Sequence, residues 1–137
     1  MVHLNVATRN VWISPSTAKP TPEWVKEQSK AILAYASRED LSVDLVTRDR
    51  DNLYRKVFDE TCTKQGVRVK TLSYRSPVLN AYVERFIQSI QVECLDHFLI
   101  FGEPHLDYLV REYVEHYHWE RPHQGLDNRL ISGQPLP

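Results

Sequence analysis

The hydrophobic residues of this chain follow two spacings, the alternation typical of strands and the spacing typical of helices. The order of these segments limits the fold more than any other feature. Apolar residues alternate with polar ones over residues 2–6, and Val11 and Ile13 alternate with Asn10 and Trp12. These runs lie on either side of a turn near residues 7–10, which predicts a β-hairpin. From residue 24 onward, segments with helical spacing alternate with short apolar runs. The predicted order is hairpin, helix, strand, helix, strand, helix, helix, and it favours a mixed α/β sheet flanked by helices.

Capping residues predict where the early elements begin and end. Thr21 followed by Pro22 predicts the start of a helix that runs to about Ala36. Residues 41–46 form a short apolar run that suits a buried strand. The helix that follows is expected to stop at Gly66, a residue type that favours the C-terminal end of helices.

The second half of the chain is predicted to be mainly helical. After a strand over residues 67–72, a helix is expected from Asn80, whose side chain would cap it, and another from about 104 to 118. The tail, residues 127–137, is expected to be extended. The apolar stripe of the first of these helices comprises Val83, Phe86, Ile87, Ile90 and Cys94.

Composition indicates an ordinary globular domain. The 137 residues are 42% hydrophobic and 26% charged, with a net charge of −1, so any nucleic-acid surface would have to be local. No apolar run reaches the length of a membrane span and no signal peptide begins the chain, so a cytoplasmic protein with no membrane partner is expected. Cys62 and Cys94 are predicted to be reduced core residues.

Two carboxylates stand out against an acid-free segment. Asp49 follows an apolar strand within three residues, Glu84 lies on the polar face of a helix, and residues 61–83 contain four basic residues and no acid. Such an arrangement can hold a divalent metal against a phosphodiester. The alternative for Asp49 is a solvated turn in which Arg48 and Arg50 pair locally. The alternative for Glu84 is an ordinary solvated carboxylate on the polar face of the helix. As an acid expected in the first turn, Glu84 would also be favoured by the helix dipole.

Short motifs along the chain carry a family resemblance. They are Asp49-Arg-Asp51 with Tyr54, Gly66-Val67, the run Tyr74–Phe86, Glu93–Asp96, and Tyr117–Leu126. Each motif is weak alone, but their order and the 34 residues between Asp49 and Glu84 are specific. From about Val2 to Leu126 the chain resembles the catalytic core of insertion-sequence transposases and retroviral-type integrases, the DDE superfamily with an RNase H-like fold.

The resemblance implies a role for each matching residue. Residues 1–126 would form the integrase core, Asp49 is similar to the second catalytic aspartate, and Glu84 is similar to the catalytic glutamate. These acids would hold Mg²⁺ or Mn²⁺ for cleavage and strand transfer of DNA, with transposon ends and target DNA as partners and a homo-oligomer or a full-length transposase as further partners. The residues expected to contact DNA are Tyr74, Arg75, Ser76, Asn80, Arg85, Gln88 and Gln91.

The chain departs from the family pattern at two places. The family's first aspartate lies on an opening strand, whereas no acid here precedes Glu23, so the first strand and its aspartate are expected to be missing and catalysis impaired. Gln91 stands where relatives often carry Lys or Arg. A non-catalytic nucleic-acid-binding or interaction module, or a transposase remnant, is therefore the alternative function.

The histidines suggest a rival zinc site. His116, His118 and His123 lie close in sequence, but their spacing, with no cysteine nearby, does not match a zinc finger. His123 is instead expected to bond to backbone carbonyls or to pack against Tyr117.

Overall fold

The computed structural model describes residues 1–48, 54–72 and 77–131. Within these residues the chain forms four α-helices and four β-strands, none of the helices being long and apolar enough to cross a membrane. The chain divides into two compact units. One comprises Met1–Ser16 with Ala81–Pro137, and the other comprises Thr17–Asn80.

The predicted N-terminal hairpin is confirmed. Strand β1 (Val2–Leu4) pairs antiparallel with β2 (Val11–Ile13). The side-chain carbonyl of Asn5 accepts hydrogen bonds from the backbone N–H groups of Ala7 and Thr8, both at 3.0 Å. An Asn side chain that bonds to the next residues mimics a backbone turn, and this is why the chain reverses here.

The two helices of the Thr17–Asn80 unit begin and end close to where their capping residues predict. Helix α1 spans Pro22–Arg38, and the Thr21 hydroxyl accepts a hydrogen bond of 3.1 Å from the backbone N–H of Trp24. Helix α2 spans Arg55–Lys64 and is followed by Gly66 in the left-handed region, at φ +79°. Glycine adopts this conformation without the steric cost that a Cβ brings.

The strands of the same unit differ in part from the prediction. Strand β3 (Leu45–Arg48) pairs in parallel with β4 (Arg68–Thr71), with Val46 opposite Val69. The predicted buried strand over residues 41–46 is wrong in position and burial, since β3 begins at Leu45, whose side chain is 45% exposed. The partner strand is only four residues long, and it limits where β3 can form ladder hydrogen bonds.

The other unit has a core formed by the hairpin and two long helices. Helix α3 (Pro77–Glu93) and helix α4 (Gly102–Trp119) pack around the ring of Phe86, which meets the ring of Tyr117 edge to face at 4.9 Å. Ile87 was predicted to join this core but is 44% exposed. The buried cluster comprises Val11, Phe86, Ile90, Tyr113 and Tyr117.

The chain after α4 folds back on itself. A 3₁₀ turn at Gln124–Leu126 is followed by an antiparallel bridge between His123 and Arg129, and Leu130 is buried. The extended tail predicted from residue 127 is therefore not seen over residues 127–131. The α/β class is confirmed, with one two-stranded sheet in the described part of each unit.

The cysteines are free thiols, as predicted. Cys62 is fully buried and Cys94 is half-buried. Burial, together with the nearby charge of Asp59, raises the pKa of Cys62 to about 11, so this thiol stays protonated and acts as a small core residue.

The Thr21 cap provides a direct test of α1. Replacement of Thr21 by Ala removes the acceptor for the Trp24 N–H and is expected to lower the free energy of unfolding by about 1 kcal/mol, measured by urea denaturation with circular dichroism. Thr21→Ser keeps the hydroxyl and should retain most of the stability. An equal loss in both variants would show that the hydroxyl does not stabilise the helix.

Candidate active site

Glu84 lies on the solvent-facing side of α3. Gln88 and Gln91 follow it at the spacing that places side chains on one helix face, and all three residues are exposed. This arrangement confirms the polar face predicted for the helix. The face carries one carboxylate and two amides at the protein surface.

The start of α3 differs from the prediction. The helix begins at Pro77, so Asn80 lies inside the first turn and does not cap it. Glu84 is the eighth residue of the helix, and the first turn contains no acid. The predicted stabilisation of Glu84 by the helix dipole is therefore wrong, because that effect is confined to the first and last turns.

Four residues of the predicted site lie outside the described part of the chain. They are Asp49, Tyr74, Arg75 and Ser76. Their roles in metal and DNA binding stay predictions from the family resemblance.

Arg48, the last residue of β3, makes a contact that the sequence did not indicate. Its Nε and Nη2 atoms donate hydrogen bonds to the two carboxylate oxygens of Asp59 in α2, both at 2.7 Å, and its side chain is only 11% exposed. Local pairing of Arg48 within the acidic and basic tetrad stays a prediction, because the other residues of the tetrad lie outside the described part of the chain. The two-pronged bond ties the end of β3 to α2.

Gln91 makes an internal hydrogen bond. Its Nε2 atom donates to a carboxylate oxygen of Asp96 at 3.1 Å, and Asp96 belongs to the 3₁₀ turn Leu95–His97 that follows α3. The amide thus bonds to the turn at the end of the helix. Arg85, by contrast, is an exposed side chain of the same helix. The DNA contacts proposed for both residues stay predictions.

A network at the end of α3 was missed by the sequence reasoning. Arg121 donates from Nη2 to Glu93 Oε1 at 2.7 Å and from Nε to Oε2 at 3.0 Å, while the Tyr113 hydroxyl donates to Oε2 at 2.7 Å. All three residues occur in or between the motifs of the resemblance. Nothing in their spacing indicates that they meet, because Glu93 and Arg121 are 28 residues apart.

The network perturbs the ionisation of its members. The Arg121 hydrogen bond holds the pKa of the Glu93 carboxyl below its usual value. Burial, followed by the hydrogen bond to Glu93, raises the pKa of the Tyr113 hydroxyl. Glu93 therefore stays ionised and Tyr113 stays a donor near neutral pH, which keeps the segment after α4 attached to α3.

The histidines make separate contacts. His123 Nε2–H donates to the Tyr117 carbonyl at 2.8 Å, and the two rings meet edge to face at 4.4 Å, which confirms the prediction for His123. His118 Nε2 accepts from the Val11 N–H at 3.0 Å, and His116 Nδ1 bonds to Glu120 at 2.8 Å. Across residues 1–48, 54–72 and 77–131, no group of three or more His, Cys, Asp or Glu residues is placed to hold a metal ion.

The part of the chain that carries Glu84 and Arg121 matches a known family. Residues 65–130 match the family described as an integrase core domain. This segment is similar to integrase core domains. The match spans just under half of the chain, a shorter stretch than the resemblance suggested, and it includes Glu84 but not Asp49. A comparison with curated proteins found no match.

This match confirms the resemblance recognised from the motifs. Integrase core domains belong to transposase- and integrase-like polynucleotidyl transferases, which act on DNA in integration and recombination and generally depend on divalent metals. In the integrase core segment of this chain, α3 carries the glutamate, and the Glu93 network joins α3 to the C-terminal motif.

The ionisation of Glu93 predicts a pH-dependent contribution to stability. The folded-state pKa lies below the unfolded value near 4.5, so Glu93 stabilises the protein above that pH and loses this effect as the pH falls through the folded-state pKa. Glu93→Gln is therefore expected to lower the free energy of unfolding by about 1 kcal/mol at neutral pH. The difference from the wild type should shrink below pH 4.5.

The measurement is urea denaturation across that pH range, with Glu115→Gln as the control. Glu115 is an exposed glutamate of α4 that makes no ion pair with another described residue. A pH-independent difference for Glu93→Gln would mean that the network does not depend on the carboxylate charge.

Proposed function

We propose that this protein is a transposase or integrase catalytic core that performs metal-dependent cleavage and strand transfer of DNA. The observation that carries the proposal is the integrase core match over residues 65–130 together with the exposed Glu84 within it. A catalytic carboxylate has to reach solvent in order to meet a DNA backbone, and the orientation of α3 meets this requirement. An RNase H-like arrangement of the whole chain is part of the same proposal.

The chemistry of the acids fits a divalent metal. Carboxylate oxygens are the ligands that Mg²⁺ and Mn²⁺ prefer, so Glu84 and Asp49 would hold the ion. When bound, such an ion stabilises charge on the phosphoryl oxygens and lowers the pKa of a bound water or hydroxyl. Arg75 and the amide donors of Asn80 and Gln88 would bind phosphate oxygens and orient the DNA.

Positioning is the main contribution of the other residues. Arg85, like Tyr74 and Ser76, would fix the backbone of the DNA without reading its sequence. Holding the phosphodiester in a reactive geometry can itself supply much of the rate acceleration. The Glu93 network supports this role because it stabilises the end of the helix on which Glu84 and Arg85 lie.

A non-catalytic DNA-binding module is the second candidate. It is favoured by the exposed Arg85 and Gln88 of α3, which can bind a DNA backbone without a metal ion. Such a module would bind DNA through the same face of α3 and could associate with a full-length transposase.

Glu84→Gln tests the catalytic proposal. The substitution removes a charged metal ligand from an exposed position, so it should reduce Mg²⁺-dependent nicking of a DNA end by about 100-fold or more and change stability by less than about 0.5 kcal/mol. Nicking is measured with end-labelled duplex DNA and purified full-length chain, with and without Mg²⁺.

Glu115→Gln is the matched control, because it removes the same group from an exposed position on α4. Nicking that both variants retain would contradict the role of Glu84. DNA binding by the wild type without nicking would favour the second candidate. A wild-type chain that neither binds nor nicks DNA would contradict both functions.

A further inference from the structure

Arg9 is a cation held in a defined position by three parts of the chain. It lies in the hairpin turn with a left-handed backbone, at φ 65°, a conformation that is uncommon for residues other than glycine. Its guanidinium carbon lies 4.0 Å from the centre of the Tyr82 ring of α3, and its Nη1 atom donates a hydrogen bond to the Val6 carbonyl. The side chain is therefore oriented rather than free to rotate.

The C-terminal turn lies against the same guanidinium. A Cβ added at Gly125 would lie 3.5 Å from Arg9 Nη2 and 3.7 Å from Nε, which is ordinary van der Waals contact. The hairpin turn, α3 and the turn after α4 thus meet at one arginine, and Arg9, Tyr82 and Gly125 all belong to the same compact unit.

The charge of Arg9 is not balanced by a carboxylate in the described residues. Arg48 and Arg121 each have an ion pair with an acid at 2.7 Å, whereas Arg9 makes none with the residues that the structure describes. An aromatic ring engages the face of a guanidinium and leaves N–H groups at its edge. Those groups suit an anionic oxygen, above all phosphate.

The helix connects Arg9 with the face that carries Glu84. Successive residues of an α-helix are about 100° apart, so Tyr82, Arg85 and Gln88 form a row whose members are offset by about 60° each. Arg9 lies at the Tyr82 end of this row, and Gln88 at the other end shares the exposed face of Glu84. The row is continuous around one side of the helix.

We propose that Arg9, placed on Tyr82 at one end of the row that contains Arg85, binds the phosphodiester backbone of duplex DNA. The proposal rests on the proposed function and extends it, because it adds a contact from the hairpin turn to a site otherwise assigned to residues 49–91. The contact positions the duplex along α3 and does not read its sequence.

Salt dependence of DNA binding tests the role of Arg9. Affinity for a fluorescein-labelled duplex is measured by anisotropy between about 50 and 200 mM salt, where each phosphate contact contributes a slope of about 0.9 to log K against log salt. Arg9→Gln is expected to reduce the slope by about one and to weaken binding equally for unrelated sequences. Arg9→Lys keeps the charge and should keep the slope.

Arg111→Gln is the matched control. Arg111 also stacks on a tyrosine, with its guanidinium 5.5 Å from the Tyr108 ring, but it lies 3.7 Å from the carboxylate of Glu112. Its loss should leave the slope unchanged. Tyr82→Leu removes the ring beneath Arg9 without changing the charge, and should weaken binding several-fold while keeping the slope.

The outcomes separate this proposal from the proposed function. A wild-type chain that binds DNA, with the same slope in folded Arg9→Gln, overturns the role of Arg9 and leaves the proposed function intact. A wild-type chain that binds no duplex overturns both. If circular dichroism shows that Arg9→Gln is unfolded, the Tyr82→Leu variant provides the test instead. Unchanged DNA affinity in Tyr82→Leu overturns the proposal.

Discussion

The contact between Phe86 and Tyr117 is the packing interaction on which the candidate site depends. It joins α3 to α4, and Val11 of the hairpin belongs to the same buried cluster. Phe86 is 1% exposed, and Glu84 lies two residues earlier, about 200° away around the helix. Burial of the phenylalanine therefore forces the glutamate toward solvent. The catalytic role proposed for Glu84 requires this orientation.

Four arginines of the chain fall into two groups, according to whether a carboxylate balances their charge. Arg48 and Arg121 each make a two-pronged bond to a carboxylate, and each bond ties a helix to another element of its unit. Arg9 stacks on Tyr82 instead, and Arg85 is exposed. Structural pairs use the charge within the protein, whereas a stacked or exposed arginine keeps its charge for an anion. A chain with a net charge of −1 can thus still present a local cationic surface.

Caps and hydrophobic spacing predicted the parts of the fold that depend on contacts between residues close in sequence. The Thr21 cap, the end of α2 before Gly66 and the exposed face of Glu84 all follow from interactions within a few residues. The predictions that failed depended on distant partners. The position of β3 depends on the length of β4, and the turn over residues 127–131 depends on the bridge between His123 and Arg129. Spacing predicted a strand over residues 67–72, but it gave neither the register in which β3 pairs with that strand nor the bridge between His123 and Arg129.

The sequence by itself determined the resemblance to integrase cores, the class of elements and the candidate glutamate, because ordered motifs and hydrophobic periodicity are properties of the chain alone. Only the tertiary structure decided which polar groups meet: Glu93 with Arg121 and Tyr113, Arg48 with Asp59, and Arg9 with Tyr82. These contacts join residues between 11 and 73 positions apart. The physical reason is that hydrogen bonds and cation–π contacts act over a few ångströms in space, and only the packing of the core brings such distant residues that close.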